Sequence, residues 1–264
     1  MKENIIVITG GTRGIGYALT QYFLSHGQKV VFSGRSTQSV DTAVSQLAED
    51  YLEGNYLGVV ADVTSYEDSQ HLIDSCINQY GRMDILINNA GIDQHKQLFK
   101  DLSQEDISRV ISINLTGTMQ TTNAALQYYQ TVDHGAIYMM EGFGSDDRMG
   151  DEMVVYGTTK RGIRYFTRSL AKEMADTNII IGALSPGMVT TDLIKESLAS
   201  TPSERAESYR KILNILADTP ENVASFLGYG VLHNTKNNAK IFFLTTPKVL
   251  WRFIKSIFVK RSII

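Results

Sequence analysis

A single cysteine, Cys76, stands in 264 residues, which excludes an intrachain disulfide and points to a reducing compartment. It falls in a helical pattern, where a buried structural thiol is its expected role. The four prolines, at 186, 202, 220 and 247, all lie in the last third, so no proline interrupts the regular pattern before residue 185. Neither sign of charge dominates. Lys and Arg number 25 against 28 Asp and Glu, a net charge of -3, so the basic excess of a nucleic-acid binder is missing and no such partner is expected. No apolar run approaches the ~20 residues a membrane helix needs. The run Ile5 to Ile8 near the start is too short for a signal peptide and leads into glycines, so a cytoplasmic protein is expected. The five histidines share no metal-ligand spacing and join no cysteine cluster, so no metal site is expected.

What is present is an alternation. Short β-branched runs at 4–9, 29–33, 56–61, 84–88, 135–140 and 178–184 are separated by longer amphipathic segments, and a seventh run follows at 240–245. Strands alternating with helices require crossover connections. The expected fold is therefore α/β: a single Rossmann-type, doubly wound parallel sheet of about seven strands, with helices on both faces. One domain over 1–264 is expected. Helix starts are marked by Ser65 with Asp68, Ser103 with Asp106, and Thr219 before Pro220. A polar stretch at about 187–218, with two weak helical patterns, suits a substrate loop better than a connector.

Two local patterns carry chemistry. Between the first strand and the next helix stands Thr9-Gly10-Gly11-Thr12-Arg13-Gly14-Ile15-Gly16, where glycines let backbone approach a pyrophosphate and the helix N-terminus offers N–H groups. Tyr156 and Lys160 lie one helical turn apart and share a face. A lysine ammonium beside a phenol is expected to lower the tyrosine pKa and fit it for proton transfer. At the end of the second strand, where an NAD-preferring dinucleotide fold commonly carries an acid, the chain has Ser33-Gly34-Arg35. Arg35 and Arg13 suit a 2′-phosphate, so NADP(H) is the preferred cofactor, with NAD(H) as the alternative.

The Thr-Gly-x-x-x-Gly-x-Gly turn resembles the nucleotide motif of the classical short-chain dehydrogenases/reductases, and further positions extend the resemblance over roughly residues 3 to 245. Asp62-Val63 is similar to that family's adenine-contacting pair. Asn88-Asn89-Ala90-Gly91 is similar to its signature turn, and Pro186 to Thr191 to its nicotinamide-contacting segment, with Val189 and Thr191 at the matching positions. The resemblance implies a cofactor site of Gly10, Thr12, Arg13, Gly14, Ile15, Gly16, Arg35, Asp62, Val63, Asn89, Ala90, Gly91, Tyr156, Lys160, Val189 and Thr191. It also implies that Tyr156 is the general acid/base, that Lys160 holds the nicotinamide ribose, and that Asn114 supports a proton-relay water. A homodimer or homotetramer is implied as well, through the helices at 103–130 and 155–175.

The resemblance breaks at one place. That family carries a serine thirteen residues before the tyrosine, and here the offset falls on Phe143. Counting from the fifth strand puts Glu141-Gly142 at the usual serine pair, with Ser145 slightly later in a glycine-bounded loop. Ser145 is the candidate to take the role, and Glu141 a poorer one because its charge would repel a developing oxyanion. Met140-Glu141-Gly142-Phe143-Gly144-Ser145, with Tyr156 to Gly162 and Leu244-Thr245-Thr246-Pro247, resembles the chlorophyll b reductase branch, whose members reduce a formyl group on a tetrapyrrole.

After Pro247 five basic and no acidic residues accompany Leu250, Phe253, Ile254, Ile257 and Phe258 on one helical face. A basic amphipathic helix is expected at about 247–262. It packs on its own domain or a partner subunit, covers the substrate, or makes weak contact with a membrane surface. The expected activity is NADP(H)-dependent interconversion of a carbonyl and an alcohol, on a small-molecule substrate that is a fairly large hydrophobic aldehyde or ketone. The alternative is a nucleotide-binding sensor or scaffold with little catalysis.

Overall fold

The computed structural model describes residues 2–192, 194, 198, 203–259 and 261–263. Seven parallel strands form one sheet: β1 (Ile5–Ile8), β2 (Lys29–Gly34), β3 (Tyr56–Val60), β4 (Ile85–Asn88), β5 (Gly135–Met140), β6 (Ile179–Ser185) and β7 (Ala239–Phe242). Their order is β3-β2-β1-β4-β5-β6-β7. The order reverses between β1 and β4, so the connections leaving these two strands diverge and open a crevice at the carboxyl edge of the sheet.

The period of two along each strand divides the core. Ile6, Ile8, Val30 and Phe32 face α1 (Gly14–Ser25), α2 (Thr37–Leu47) and a later helix, α8 (Pro220–His233). Ile5, Val7, Val31 and Leu86 face α3 (Tyr66–Tyr80), α5 (Gly117–Val132) and α6 (Val154–Glu173). Cys76 lies fully buried in this second layer, where burial pushes its thiol up to about 12. Such a thiol is inert at neutral pH.

Each of the three expected caps forms, but the capping boxes close on one side only. Ser65 accepts from the Asp68 N–H and Ser103 from the Asp106 N–H. The aspartates turn elsewhere: Asp68 accepts from the Asp62 N–H at 2.8 Å and Asp106 from the His95 N–H at 3.1 Å. Each thereby ties a helix start to a loop at the carboxyl edge of the sheet. Between α4 (Gln104–Ile111) and α5 the helix loosens into a π turn over Ser112–Thr116. Two further helices are α7 (Ser203–Leu216) and α9 (Thr246–Phe258).

Candidate active site

The glycine turn joins β1 to α1 as expected, and its fit to a pyrophosphate is visible in three ways. Helix α1 starts at Gly14 with no side-chain cap on its first N–H groups, and α9 also lacks one, whereas α2, α3, α4 and α8 are capped. Those donors remain for an anion. Gly10 has φ +64°, and a Cβ at Gly16 would run into the Gly10 carbonyl and the Asn89 amide. No larger residue fits there. Asn89 locks the turn by donating to the Thr9 and Gly10 carbonyls, both at 3.0 Å, while the Thr9 hydroxyl accepts from the Asn89 and Ala90 N–H groups.

Arg13 and Arg35 are both exposed, at the start of α1 and just past β2. The two segments touch: Gly11 donates to the Ser33 carbonyl at 2.9 Å, and a Cβ on Gly34 would lie 2.5 Å from the Thr12 methyl. Ser36 caps α2 directly beyond Arg35. Asp62 accepts from the Thr64 N–H and hydroxyl, and buried Val63 packs against Gly117. Thr191 borders the glycine turn, since a Cβ on Gly14 would lie 3.3 Å from its methyl. Val189 is buried and pairs with Asp218 across a short parallel bridge. Ile15 lies in the first turn of α1, and Ala90 and Gly91 in the turn after β4.

The chemical end is assembled at the start of α6. Lys160 is buried, its ammonium donates to the Met140 carbonyl at 3.1 Å, and it lies 5.7 Å from the Tyr156 ring centre. Glycines floor this space. A Cβ on Gly91 would lie 3.3 Å from Asn114 Oδ1 and 3.5 Å from Lys160 Nζ, and one on Gly142 would strike the Tyr156 hydroxyl. Asn114 is fully buried inside the π turn, a helix defect that recurs at functional sites. Its amide accepts from the Ile92 N–H at 2.8 Å and donates to the Ile92 carbonyl at 2.9 Å and to Thr159 at 3.2 Å. It therefore ties the turn after β4 to the helix that carries Tyr156.

The electrostatics differ from the sequence expectation. Burial, then Asp93, then Tyr209 push the Tyr156 pKa up, and burial brings Lys160 down to about 8 against the opposing pull of Glu141 and Asp93. Desolvation dominates at both groups, and the lysine ammonium donates a hydrogen bond to a backbone carbonyl.

Ser145 also lies otherwise than the resemblance implies. It is buried, but its hydroxyl donates to Glu141 Oε2 at 3.0 Å and its carbonyl accepts from Arg161 at 3.1 Å. Arg164 stands 3.9 Å from the same carboxylate. Arg161 and Arg164 follow Gly157 around α6, on the face beside the one bearing Tyr156 and Lys160. The serine hydroxyl is thus turned toward a buried carboxylate, and Gly142 stands beside the tyrosine hydroxyl. Burial raises the Glu141 pKa, with Arg164 and the Ser145 hydrogen bond opposing.

Motif reasoning missed Gln94. Its side-chain oxygen accepts from the Val155 and Tyr156 N–H groups, at 2.8 and 2.9 Å, and so caps α6 from another loop. It is 4% exposed, and no spacing rule links residue 94 to residue 155. The predicted substrate loop is largely helical: Met188, Ile194 and Leu198 pack with Ala206, Tyr209, Leu213 and Ala217 in a small separate cluster. Residues 193, 195–197 and 199–202 of that loop lie outside the described residues. Tyr209 of α7 reaches Tyr156 electrostatically, so this cluster borders the chemical end.

Residues 4–201 match the family described as short chain dehydrogenase. The probable chlorophyll(ide) b reductase NYC1 of Arabidopsis thaliana is 31% identical over 267 residues, covering 95% of this chain and 52% of that protein. The chlorophyll(ide) b reductase NOL of the same plant is 38% identical, covering 84% of this chain and 63% of that protein. Both are chloroplastic, and this chain spans about half to under two thirds of their length. The 3-oxoacyl-[acyl-carrier-protein] reductase FabG of Aquifex aeolicus is 31% identical and covers 88% of this chain and 96% of its own. Among solved structures, ElxO with NADP bound superposes with a TM-score of 0.78 at 29% identity, covering 91% and 97% of the two chains.

Proposed function

The chain belongs to the short-chain dehydrogenase family of NAD(P)-dependent oxidoreductases, and we propose that within it the protein is an NADP(H)-dependent reductase of a hydrophobic aldehyde or ketone, with Tyr156 delivering the proton. One observation carries this reading. The Tyr156 hydroxyl and the Lys160 ammonium stand over a floor of glycines, Gly91 and Gly142, at the carboxyl edge of β4 and β5, close to an uncapped helix start. A carbonyl compound and a flat ring require such a floor.

When bound there, a nicotinamide supplies the hydride. Arg13 and Arg35 hold the 2′-phosphate, the α1 N–H groups and the glycine turn hold the pyrophosphate, and Lys160 holds the ribose. Asp62, Val63, Asn89, Ala90, Val189 and Thr191 complete that contact. Tyr156 is protonated at neutral pH, as a phenol is, and so can donate to a carbonyl oxygen in the reductive direction. Asn114 positions α6 against β4, and Ser145 acts through Glu141 to hold the 141–147 loop beside Tyr156. A formyl-bearing macrocycle, as the names of NYC1 and NOL suggest for those proteins, falls within the proposed substrate class.

A reducing compartment such as the cytoplasm fits the buried Cys76. Homo-oligomer formation through α5 and α6 is supported by a cavity of about 490 Å³ on their outer side, lined by Met119, Leu126, Phe166 and Leu170.

NADPH oxidation against a panel of hydrophobic aldehydes and ketones tests the assignment. Turnover is expected, and Tyr156→Phe lowers it ~100-fold or more while leaving NADPH affinity in place. The inward-turned Ser145 favours a second reading, a cofactor-bound sensor. Tight NADPH binding with no turnover across the panel would establish that instead.

A further inference from the structure

Helix α9 is built inside out. Two of its three basic residues face the protein: the Lys248 ammonium sits 3.3 Å from the centre of the Phe243 ring, and Arg252 donates to the Leu216 carbonyl at 2.7 Å and pairs with Asp218. Its apolar residues face outward. Leu250, Trp251, Phe253, Ile254, Ile257 and Phe258 are 42 to 82% exposed, and the helix buries no residue of its own. A helix moored by cations and showing six large apolar side chains to solvent needs a cover.

Beside this face lies a cavity of about 670 Å³ with Trp251 in its wall, where Arg252 and Arg261 share the one carboxylate of Asp218, Lys211 pairs with Glu207, and Lys255 adds a further positive charge, so the lining stays net positive. Lys255 lies 4.8 Å from the Trp251 ring. An apolar strip bordered by a cationic recess matches a surface that is apolar inside and anionic at its edge. From residue 246 to 264 the chain has five basic and no acidic residues. A second copy pairing through this face would bring like charges together, whereas anionic lipid headgroups neutralise them.

We propose that α9 docks the protein on an anionic membrane, the six apolar side chains entering the headgroup boundary and the adjoining recess taking a lipid phosphate. Docking does not depend on the catalytic assignment. Its position relative to the site follows from Asp218, which pairs with Arg252 while its backbone exchanges hydrogen bonds with Met188 and Thr190. The moored helix therefore adjoins the segment that carries Val189 and Thr191, where a substrate drawn from a membrane would arrive.

Co-sedimentation of the full chain with phosphatidylcholine vesicles, with and without phosphatidylglycerol, tests this. Binding is expected to the anionic vesicles and to weaken with added salt. Ile257→Glu with Phe258→Glu weakens it about tenfold or more, and Lys255→Glu reduces the preference for anionic lipid. These three positions are exposed, so the substitutions leave the melting temperature unchanged, which separates lost docking from lost folding. Absence of binding to both vesicles, or binding that the Ile257/Phe258 variant leaves intact, overturns the proposal. So does a velocity sedimentation run in which that variant dissociates an oligomer, because the face is then an interface between copies.

Discussion

A phenol held protonated and an ammonium held near its titration point set the pH behaviour of this site. Lys160 titrates at about 8 in the free protein because burial penalises its charge. Lysine is charged below its pKa, so kcat/KM for NADPH-dependent reduction is expected to be level below pH about 8 and to fall about tenfold per unit above it. Lys160→Met should abolish this inflection and leave only a low, flat rate; an unchanged inflection assigns it to another group. Arg13 and Arg35 permit a second test at this scale. Both are exposed, so Arg13→Ser with Arg35→Ser leaves the fold intact while removing two charge-assisted contacts, and NADPH affinity should drop about 100-fold with NADH affinity little changed. Parallel titrations with both nucleotides check this; an equal loss for both places the arginines elsewhere.

At the scale of elements, α6 depends on a loop remote from it in sequence. Gln94 caps its first N–H groups from the turn after β4, which couples the orientation of Tyr156 to the floor of the site. Gln94→Leu uncaps the helix, and by the usual worth of a cap should cost about 1–2 kcal/mol and lower kcat more than NADPH affinity. Denaturant melts with single-turnover rates measure both. The capping pairs Ser65 with Asp68 and Ser103 with Asp106 were legible because a cap is local in sequence. The diverted aspartates were not, since their partners, the Asp62 and His95 N–H groups, lie on loops whose approach depends on packing. Ser145 shows the same limit: its place in the loop is readable, but the direction of its hydroxyl depends on Glu141 and on the far side of α6.

For the whole molecule, the layer between the sheet and α3 and α5 holds protons that the unfolded chain releases. Tyr129 is fully buried with a pKa raised well above 10 by burial and by Cys76, and Cys76 itself is raised to about 12. A raised acid pKa means that the folded state keeps its proton while the unfolded chain ionises. The stability these groups contribute is therefore complete below the unfolded values, near 9 and 10, and is lost as pH rises past them. Each costs up to about 1.4 kcal/mol per pH unit. Urea midpoints should hold to pH about 9 and then fall, and Tyr129→Phe should flatten the fall.

The amino-acid sequence alone determined the alternation of strands and helices, the phosphate turn, the Tyr156–Lys160 spacing and the family resemblance, because each depends on residues near one another along the chain. Only the tertiary structure decided which way side chains face. Tyr156 is pushed up rather than down because desolvation is a property of packing. Helix α9, whose apolar face reads as a packing surface, turns that face outward because Phe243 and Asp218 hold its cations, and Asp218 lies far from the helix in sequence.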